Sequence, residues 1–456
     1  MDGNAVIAAI STPLGVGGIG VVRISGDGAF AVADRMVRTA KKIPVSQMPG
    51  YTCAYGRACD RLGEIDEVIV TVFHAPHSFT GEDVVEIASH GGVYLVNRIL
   101  RAAYECGARP AEAGEFTRRA FLNGKLDLTR AEAVGDLIAA QGRQAARAAL
   151  TARDGALYQR IEKITGKLVA QAGHLAAWID YPEEEIVEVD AADLAETLRE
   201  CERDLRKLLA TYDAGKVIRE GIEVAIVGRP NVGKSTLMNL LAGYQRSIVS
   251  EQAGTTRDVV SDSVRLGEIV LHLSDTAGIR ASDDPIEQAG VELAVDRLQR
   301  AQLVLAVFDG SEALSDDDRR VIAACKGIPA IALVNKNDLE QRLDLGVIQD
   351  GFAHVLQISA RQADGAQQLE ERITELFALG KFDPSAAILA NERQRAGALA
   401  AVEELAEAIC ALESGVSYDA VCVCIENSID ALLTLTGKRA SQEVVDQVFS
   451  KFCVGK

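Results

Sequence analysis

No apolar run in this sequence reaches the roughly 18 residues that a helix needs to cross a bilayer, so a chain that spans a membrane is not expected. The opening Met1-Asp2-Gly3-Asn4 is acidic where a secretory leader is basic, and glycines break the apolar stretch that follows. A cytoplasmic protein is therefore expected. A disulfide framework is missing too: nine cysteines, an odd number, are scattered over 456 residues, which suits reduced thiols. Cys422 and Cys424 form a C-x-C, but with no second Cys or His pair near them a buried pair is expected rather than a metal site. Excess positive charge is also lacking. The formal net charge is −18, and phosphate binding rests largely on Lys and Arg, which argues against a protein that coats nucleic acid, although local patches can differ.

What is present fits a soluble, multidomain chain. Hydrophobic residues make up 48% and charged residues 25%, which excludes disorder, and the length exceeds what one core accommodates, so about two or three domains are expected. Residues 1–120 mix short β-type runs with turns, among them residues 20–24, 68–73 and 84–88. This reads as a small α/β domain. From Lys125 the composition shifts to Ala, Leu, Glu and Arg at helical spacing, with Pro182 the one proline up to Tyr212, which predicts long helices over 121–215. Strands and helices then alternate over 216–380, the pattern of a doubly wound sheet, and helical composition returns over 381–456, from 386 to 412 and from 418 to 452. The simplest organisation is a helical domain, in two parts, interrupted by an inserted α/β domain. Between residues 97 and 153 ten basic residues (Arg98, Arg101, Arg109, Arg118, Arg119, Lys125, Arg130, Arg143, Arg147, Arg153) face six acidic ones; RNA contact and solvated helix faces both remain open there.

The inserted domain carries the clearest chemistry. Glu223-Val224-Ala225-Ile226-Val227 is a strand, and Gly228-Arg229-Pro230-Asn231-Val232-Gly233-Lys234-Ser235 after it matches G-x-x-x-x-G-K-[ST]. Glycines allow backbone N–H groups to face phosphates, Lys234 neutralises β and γ oxygens, and the Ser235 hydroxyl can ligate Mg²⁺. Asn231, Val232, Gly233, Lys234, Ser235 and Thr236 are accordingly candidate GTP contacts. Asp275-Thr276-Ala277-Gly278, ending the apolar run from Leu271, is a D-x-x-G suited to the magnesium shell and the γ-phosphate. Between these lie Ser250, Glu251, Gln252, Ala253, Gly254, Thr255 and Thr256, and one of the two threonines should complete the Mg²⁺ sphere. Asn335-Lys336-Asn337-Asp338 follows another apolar strand. Asp338 can accept from guanine N1–H and N2–H₂, which adenine lacks, so GTP rather than ATP is expected. Ser359-Ala360 fits the last motif of such enzymes, where a backbone N–H reads guanine O6. Ile279 follows Gly278 where Ras-type enzymes carry a water-orienting Gln, so another group must do that work; Arg280, Asp283, Asp284 and Glu287 are nearby.

Gly254-Thr255-Thr256-Arg257-Asp258, Asp275-Thr276-Ala277-Gly278-Ile279-Arg280 and the terminal Cys453-Val454-Gly455-Lys456 together resemble the bacterial tRNA-modification GTPase family MnmE (TrmE). Arg23-Ile24-Ser25-Gly26, Ser78-Phe79-Thr80-Gly81-Glu82-Asp83, His90-Gly91-Gly92, Gly114-Glu115-Phe116 and Lys125-Leu126-Asp127-Leu128 extend the likeness over the chain. The resemblance implies a homodimer joined through the N-terminal domain, which binds a 5-formyl- or 5,10-methylene-tetrahydrofolate as one-carbon source. It implies a flavoprotein partner, MnmG (GidA), with FAD on that partner alone, and aminomethyl-type modification of C5 of the wobble uridine of certain tRNAs. Arg23, Glu86, Lys125 and Lys456 correspond to folate contacts. By resemblance to translation-factor-type GTPases Thr256 is expected to join Ser235 on Mg²⁺, while in the MnmE family Asn231, Ser250, Gln252 and Thr255 correspond to ligands of K⁺. Glu287 matches the residue that orients the attacking water. Cys453 is either a catalytic thiol or a packing residue. Two rival readings are a non-enzymatic GTPase switch that assembles ribosomes, which would not bind folate, and a folate-dependent transferase that needs no flavoprotein.

Overall fold

The computed structural model describes residues 5–181, 187–244, 262–274 and 301–455. Ser250, Glu251, Gln252, Ala253, Gly254, Thr255, Thr256, Asp275, Thr276, Ala277, Gly278, Glu287 and Lys456 lie outside the described residues. The chain divides into two compact units, one of Met1–Gly135, Ala152–Leu205 and Ala396–Lys456, the other of Asp136–Thr151 and Arg206–Arg395.

The first unit holds a seven-stranded sheet made of β1 (Ile7–Ile10), β2 (Gly17–Ser25), β3 (Val37–Thr39), β4 (Thr52–Asp60), β5 (Gly63–Phe73), β6 (Val84–Gly91) and β7 (Arg109–Pro110), in the order β3-β4-β5-β6-β2-β1-β7. All pairings are antiparallel except β1 with β7. Period-two alternation decides its two faces. Val22, Ile24, Val68, Val70, Val72, Val85 and Ile87 form one face and are buried with residues of the helices Ala29–Met36 and Val93–Glu105. Each such side chain, fully buried, stabilises by about 1.5–3 kcal/mol. Arg23 and Glu86, out of phase with them, fall on the opposite face.

The helical part includes Ala156–Asp180, Tyr418–Thr436 and Gln442–Phe449. The expected helix over 418–452 is divided. Gly437, at φ 91°, ends the first part in the left-handed region, and the Ser441 hydroxyl accepts from the Val444 N–H to start the second. Likewise the helix expected from 386 begins only at Glu392, where Asn391 Oδ1 accepts from the Gln394 N–H. The expected buried cysteine pair is half right. Two residues apart on a helix the thiols diverge: Cys422 is buried with Sγ 4.0 Å from the Ala172 carbonyl oxygen, whereas Cys424 is half-buried beside Glu404 and Glu407.

The second unit is built on six strands, β8 (Ile222–Val227), β9 (Asp262–Leu266), β10 (Ile269–Ser274), β11 (Leu303–Asp309), β12 (Ala330–Asn335) and β13 (His354–Gln357), in the order β13-β12-β11-β8-β10-β9. Only β9 runs antiparallel to its neighbour. Successive residues enter different cores, as a sheet covered on both faces requires. Leu303, Leu305 and Val307 pack with Leu237 and Leu241 of the helix Lys234–Tyr244, and Val304, Ala306 and Phe308 pack with Ile348 of the helix Leu345–Gly351. This is a doubly wound P-loop fold. β8 lies between β10 on one side and β11 on the other, so the strand order reverses beside it, which makes its carboxyl end a switch point where ligands bind.

Candidate functional site

The segment after β8 is shaped by positions that tolerate no ordinary side chain. Gly228 has φ 153°, and a Cβ there would lie 2.4 Å from the Val307 carbonyl oxygen; Gly233 has φ 100°. Asn231 accepts φ 65° and is exposed. The helix Lys234–Tyr244 starts directly after, with Ser235 and Thr236 exposed in its first turn, so unpaired N–H groups and a hydroxyl collect at one helix end. Lys234 Nζ donates to the carbonyl oxygens of Gly228 at 2.6 Å and Arg229 at 2.8 Å. Burial pulls its pKa down, a cost that a polyanion beside it would offset.

Three further segments meet this loop. Asn335, 3% exposed at the end of β12, donates from Nδ2 to the Val232 carbonyl oxygen at 2.9 Å, and its Oδ1 accepts from the Ala360 N–H at 3.0 Å. One side chain thus ties the phosphate loop, the base loop and the Ser359-Ala360 turn together. Asp338 is exposed, and the Ser359 hydroxyl, donating to it at 2.7 Å, holds its carboxyl below the usual range. It is ionised and available to accept from a base edge. Lys336, at φ 65°, places Nζ 2.5 Å from Asp309 Oδ2. Burial pushes Asp309 upward, but the Lys336 ammonium and the Ser311 hydroxyl and N–H more than offset it and hold the carboxyl low. Asp309 was missed in the sequence. The signal available was an acidic residue closing the apolar run of β11, which the register sets opposite Asn335.

In the first unit Arg23 and Glu86 are direct cross-strand partners on β2 and β6. Arg23 Nε donates to Glu86 Oε1 at 2.8 Å, its Nη1 to the Gly455 carbonyl oxygen at 3.4 Å, and its guanidinium carbon lies 5.6 Å from the Phe116 ring centroid. The carboxyl tail reaches this place by design of its backbone: Val454 bridges Ala113, the Ser11 hydroxyl donates to the Gly455 carbonyl at 3.1 Å, and Gly455 adopts φ 98°. Cys453 is exposed, and its carbonyl accepts from the Gly114 N–H at 3.4 Å. Lys125 is exposed and donates to the Pro76 carbonyl at 3.0 Å, without a bond to Arg23 or Glu86. A buried network also missed in the sequence lies in the same unit. Arg119 holds Glu82 at 3.1 Å and Glu115 at 3.0 Å, and Glu82 accepts from the Ser25 hydroxyl at 2.8 Å.

The basic stretch over 97–153 is largely neutralised locally. Arg98, Arg109, Arg118, Arg119, Arg130 and Arg153 are each paired with a carboxylate, which favours the solvated-face reading over a continuous RNA patch. No helix among the described residues is long and apolar enough to cross a membrane.

A family model described as MnmE helical domain matches residues 128–453, and one described as GTP-binding protein TrmE N-terminus matches residues 6–125. The tRNA modification GTPase MnmE of Symbiobacterium thermophilum is 41% identical over 458 residues, covering 100% of both chains. That of Bacillus licheniformis is 39% identical over 456 residues, covering 99% of each. Among solved structures, Aquifex aeolicus Era bound to GDP and AlF₄⁻ is 27% identical and covers 40% of this chain and 66% of that chain, at a TM-score of 0.26, too low a superposition to add to the geometry above. Full-length identity with these relatives, on a chain whose two units carry the phosphate loop and the Arg23–Glu86 pair, means that this protein belongs to the MnmE family of tRNA modification GTPases.

Proposed function

We propose that this protein binds GTP, hydrolyses it to GDP, and modifies tRNA. With a flavoprotein of the MnmG (GidA) type it adds an aminomethyl or carboxymethylaminomethyl group to C5 of the wobble uridine, using a tetrahydrofolate one-carbon donor. The observation that carries the nucleotide half is the Asn335 brace, because it sets Asp338, Lys234 and the phosphate-loop N–H groups on one side of the sheet at its switch point. Asp338, kept ionised by Ser359, accepts from guanine. Lys234, partly desolvated, pairs with phosphate oxygens.

The donors present suit the expected ions. Ser235 offers an exposed hydroxyl for Mg²⁺, with Thr256 its proposed co-ligand, and Asn231 lies at the rim of the loop for K⁺, with Ser250, Gln252 and Thr255. Such cations supply charge neutralisation at the phosphates. Glu287 is the proposed group that orients the attacking water, since Ile279 has no hydrogen-bonding side chain. In the first unit the half-exposed Arg23–Glu86 pair offers a donor face and an acceptor face side by side, chemistry that fits a pterin amide edge and a glutamate tail. Lys125 and Lys456 are proposed to add cations, and Cys453 is proposed either as a thiol acting on the carbon carrier or as packing for the tail.

The proposed organisation is a folate and dimerisation domain at 1–120, a helical domain at 121–215 and 381–456, and an inserted GTPase domain at 216–380. The exposed Leu14, Val16 and Ile19 flank Gly17, and the exposed Tyr94 follows its strand partner Gly91, which supports a homodimer through the first of these. A cytoplasmic location follows from the tRNA substrate. Mass spectrometry of wobble nucleosides from cells lacking the protein tests the tRNA half: an unchanged nucleoside profile would end this reading. GTPase rates in K⁺ and Na⁺ for wild type and Asn231→Ala test the ion half, and equal wild-type rates in both salts would refute it.

A further inference from the structure

We infer that Asp309, which belongs to none of the nucleotide motifs, is a specificity-determining positioning residue that sets the base-recognition loop through Lys336. The inference rests on the guanine-nucleotide reading above. Asp309 ends β11 in register with Asn335 at the end of β12. It is 3% exposed, and both carboxylate oxygens are committed: Oδ2 to Lys336 Nζ at 2.5 Å, and Oδ1 to the Ser311 N–H at 3.0 Å and hydroxyl at 2.7 Å. A residue so enclosed does not reach a ligand itself. It acts on what it holds.

Lys336 has φ 65°, a conformation that residues with a Cβ rarely adopt and that persists only where contacts over-determine it. Two contacts do so from the β11 side. One is the Asp309 carboxylate on the Lys336 ammonium, and the other is the Gly310 N–H donating to the Asn335 carbonyl at 2.9 Å. Lys336 stands two residues before Asp338. From the other side the Ser359 hydroxyl holds the Asp338 carboxylate and the Ile358 carbonyl accepts from the Asn337 N–H at 3.0 Å, so release of the Lys336 side chain leaves the loop tied on that side and loosens the β11 side that helps aim Asp338.

The same turn is anchored at its far end. Arg229 of the phosphate loop donates from Nη2 to Glu312 at 2.6 Å, with Nε 3.4 Å from Asp318 Oδ2. Asp318 in turn caps its own helix, accepting from the Ser315 N–H and hydroxyl. Residues 309–318 therefore grip the base loop with one carboxylate and the phosphate loop with two. Asp309 gives the base loop a fixed reference against which guanine is read.

The test compares GDP with IDP, which lacks the exocyclic amino group that Asp338 accepts from. Affinities are measured by titration calorimetry for full-length wild type, Asp309→Asn, Lys336→Met and the double variant. Asp309→Asn is isosteric and turns an amide N–H₂ toward the ammonium. It is expected to lose roughly tenfold or more in GDP affinity, the scale of a charge-assisted hydrogen bond. The preference for GDP over IDP should shrink, kcat at saturating GTP should hold, and the double variant should bind no more weakly than Lys336→Met alone. General loosening of the domain would weaken both nucleotides alike and leave their ratio unchanged. An unchanged ratio in Asp309→Asn, or effects of the two single variants that add in full, overturns the inference. Should Asp309→Asn fail to fold, Lys336→Met removes the same link from the partly exposed side, and its GDP-to-IDP ratio decides. Wild type that fails to bind GDP overturns the nucleotide reading itself, which separates the two failures.

Discussion

Replacing Asn335 by alanine removes a side chain that, among the described residues, joins three segments of the nucleotide site. The Val232 carbonyl oxygen and the Ala360 N–H, both in buried residues, then lose their partner. Each unsatisfied buried group costs about 1–3 kcal/mol, so the pair costs about 2–6 kcal/mol when no water enters. If ligand binding must restore the geometry, this corresponds to at least roughly a 30-fold loss of GDP affinity. Asn335→Asp keeps the acceptor for Ala360 but sets a second oxygen against the Val232 carbonyl, so it should not rescue. Gly233→Ala should behave like Asn335→Ala, because a Cβ at Gly233 would lie 2.2 Å from Asn335 Nδ2 at a φ of 100°. Calorimetric titration with GDP reads the affinity, with urea unfolding of the full-length protein as control. GDP affinity of Asn335→Ala within threefold of wild type would refute the claim that the brace holds the phosphate loop in shape.

Glu115 carries a pH prediction: burial pushes its pKa up, but Arg109, the Glu112 N–H and Arg119 together hold it below its usual value. Its contribution to stability is therefore full above the unfolded pKa of about 4.3 and is lost as pH falls through the lower folded value. Thermal melts should show Glu115→Gln less stable than wild type at neutral pH, with the gap closing as pH falls below the unfolded carboxylate value of about 4.3; a gap that stays constant with pH would contradict it. Cys453→Ser should leave GTP turnover unchanged, since Cys453 and the phosphate loop lie in different compact units. Nucleoside analysis then separates its two proposed roles, because normal tRNA modification by this variant would leave packing as the surviving one.

How much of this was readable in the residues follows from the range over which each contact acts. The phosphate loop was legible because its chemistry needs glycine, lysine and a hydroxyl within eight consecutive positions, 228–235. Strands such as β11 and β12 were legible as short apolar runs. The break at Gly437 was not, since helical periodicity continues through 418–452 and only the left-handed cap ends it. The basic stretch stayed open between two readings for a related reason. Charge counted along a segment ignores carboxylates from elsewhere, and Arg98 is answered by Asp60 while Arg118 is answered by Asp446.

The carboxyl tail extends that argument to function. Nothing local in Cys453-Val454-Gly455 announces a contact with β2, yet the Gly455 carbonyl meets Arg23 across 432 positions and Ser11 across 444. Closing so long a chain costs little more than closing a short one, because loop entropy grows only with the logarithm of length; the cost lies in ordering the last residues. Specific packing offsets it. Gly114, at φ 65°, has no space for a Cβ beside the Phe449 carbonyl, which would lie 2.6 Å away, and Phe449 packs on Phe452 with ring centroids 5.5 Å apart. The helix Gln442–Phe449 thereby delivers the tail to β2 and the end of β1. The Gly455 carbonyl and Glu86 share one guanidinium, so the surroundings of the Arg23–Glu86 pair are completed by backbone that a helix from the opposite end of the chain brings in, a contact that no local pattern in residues 17–25 or 84–91 encodes.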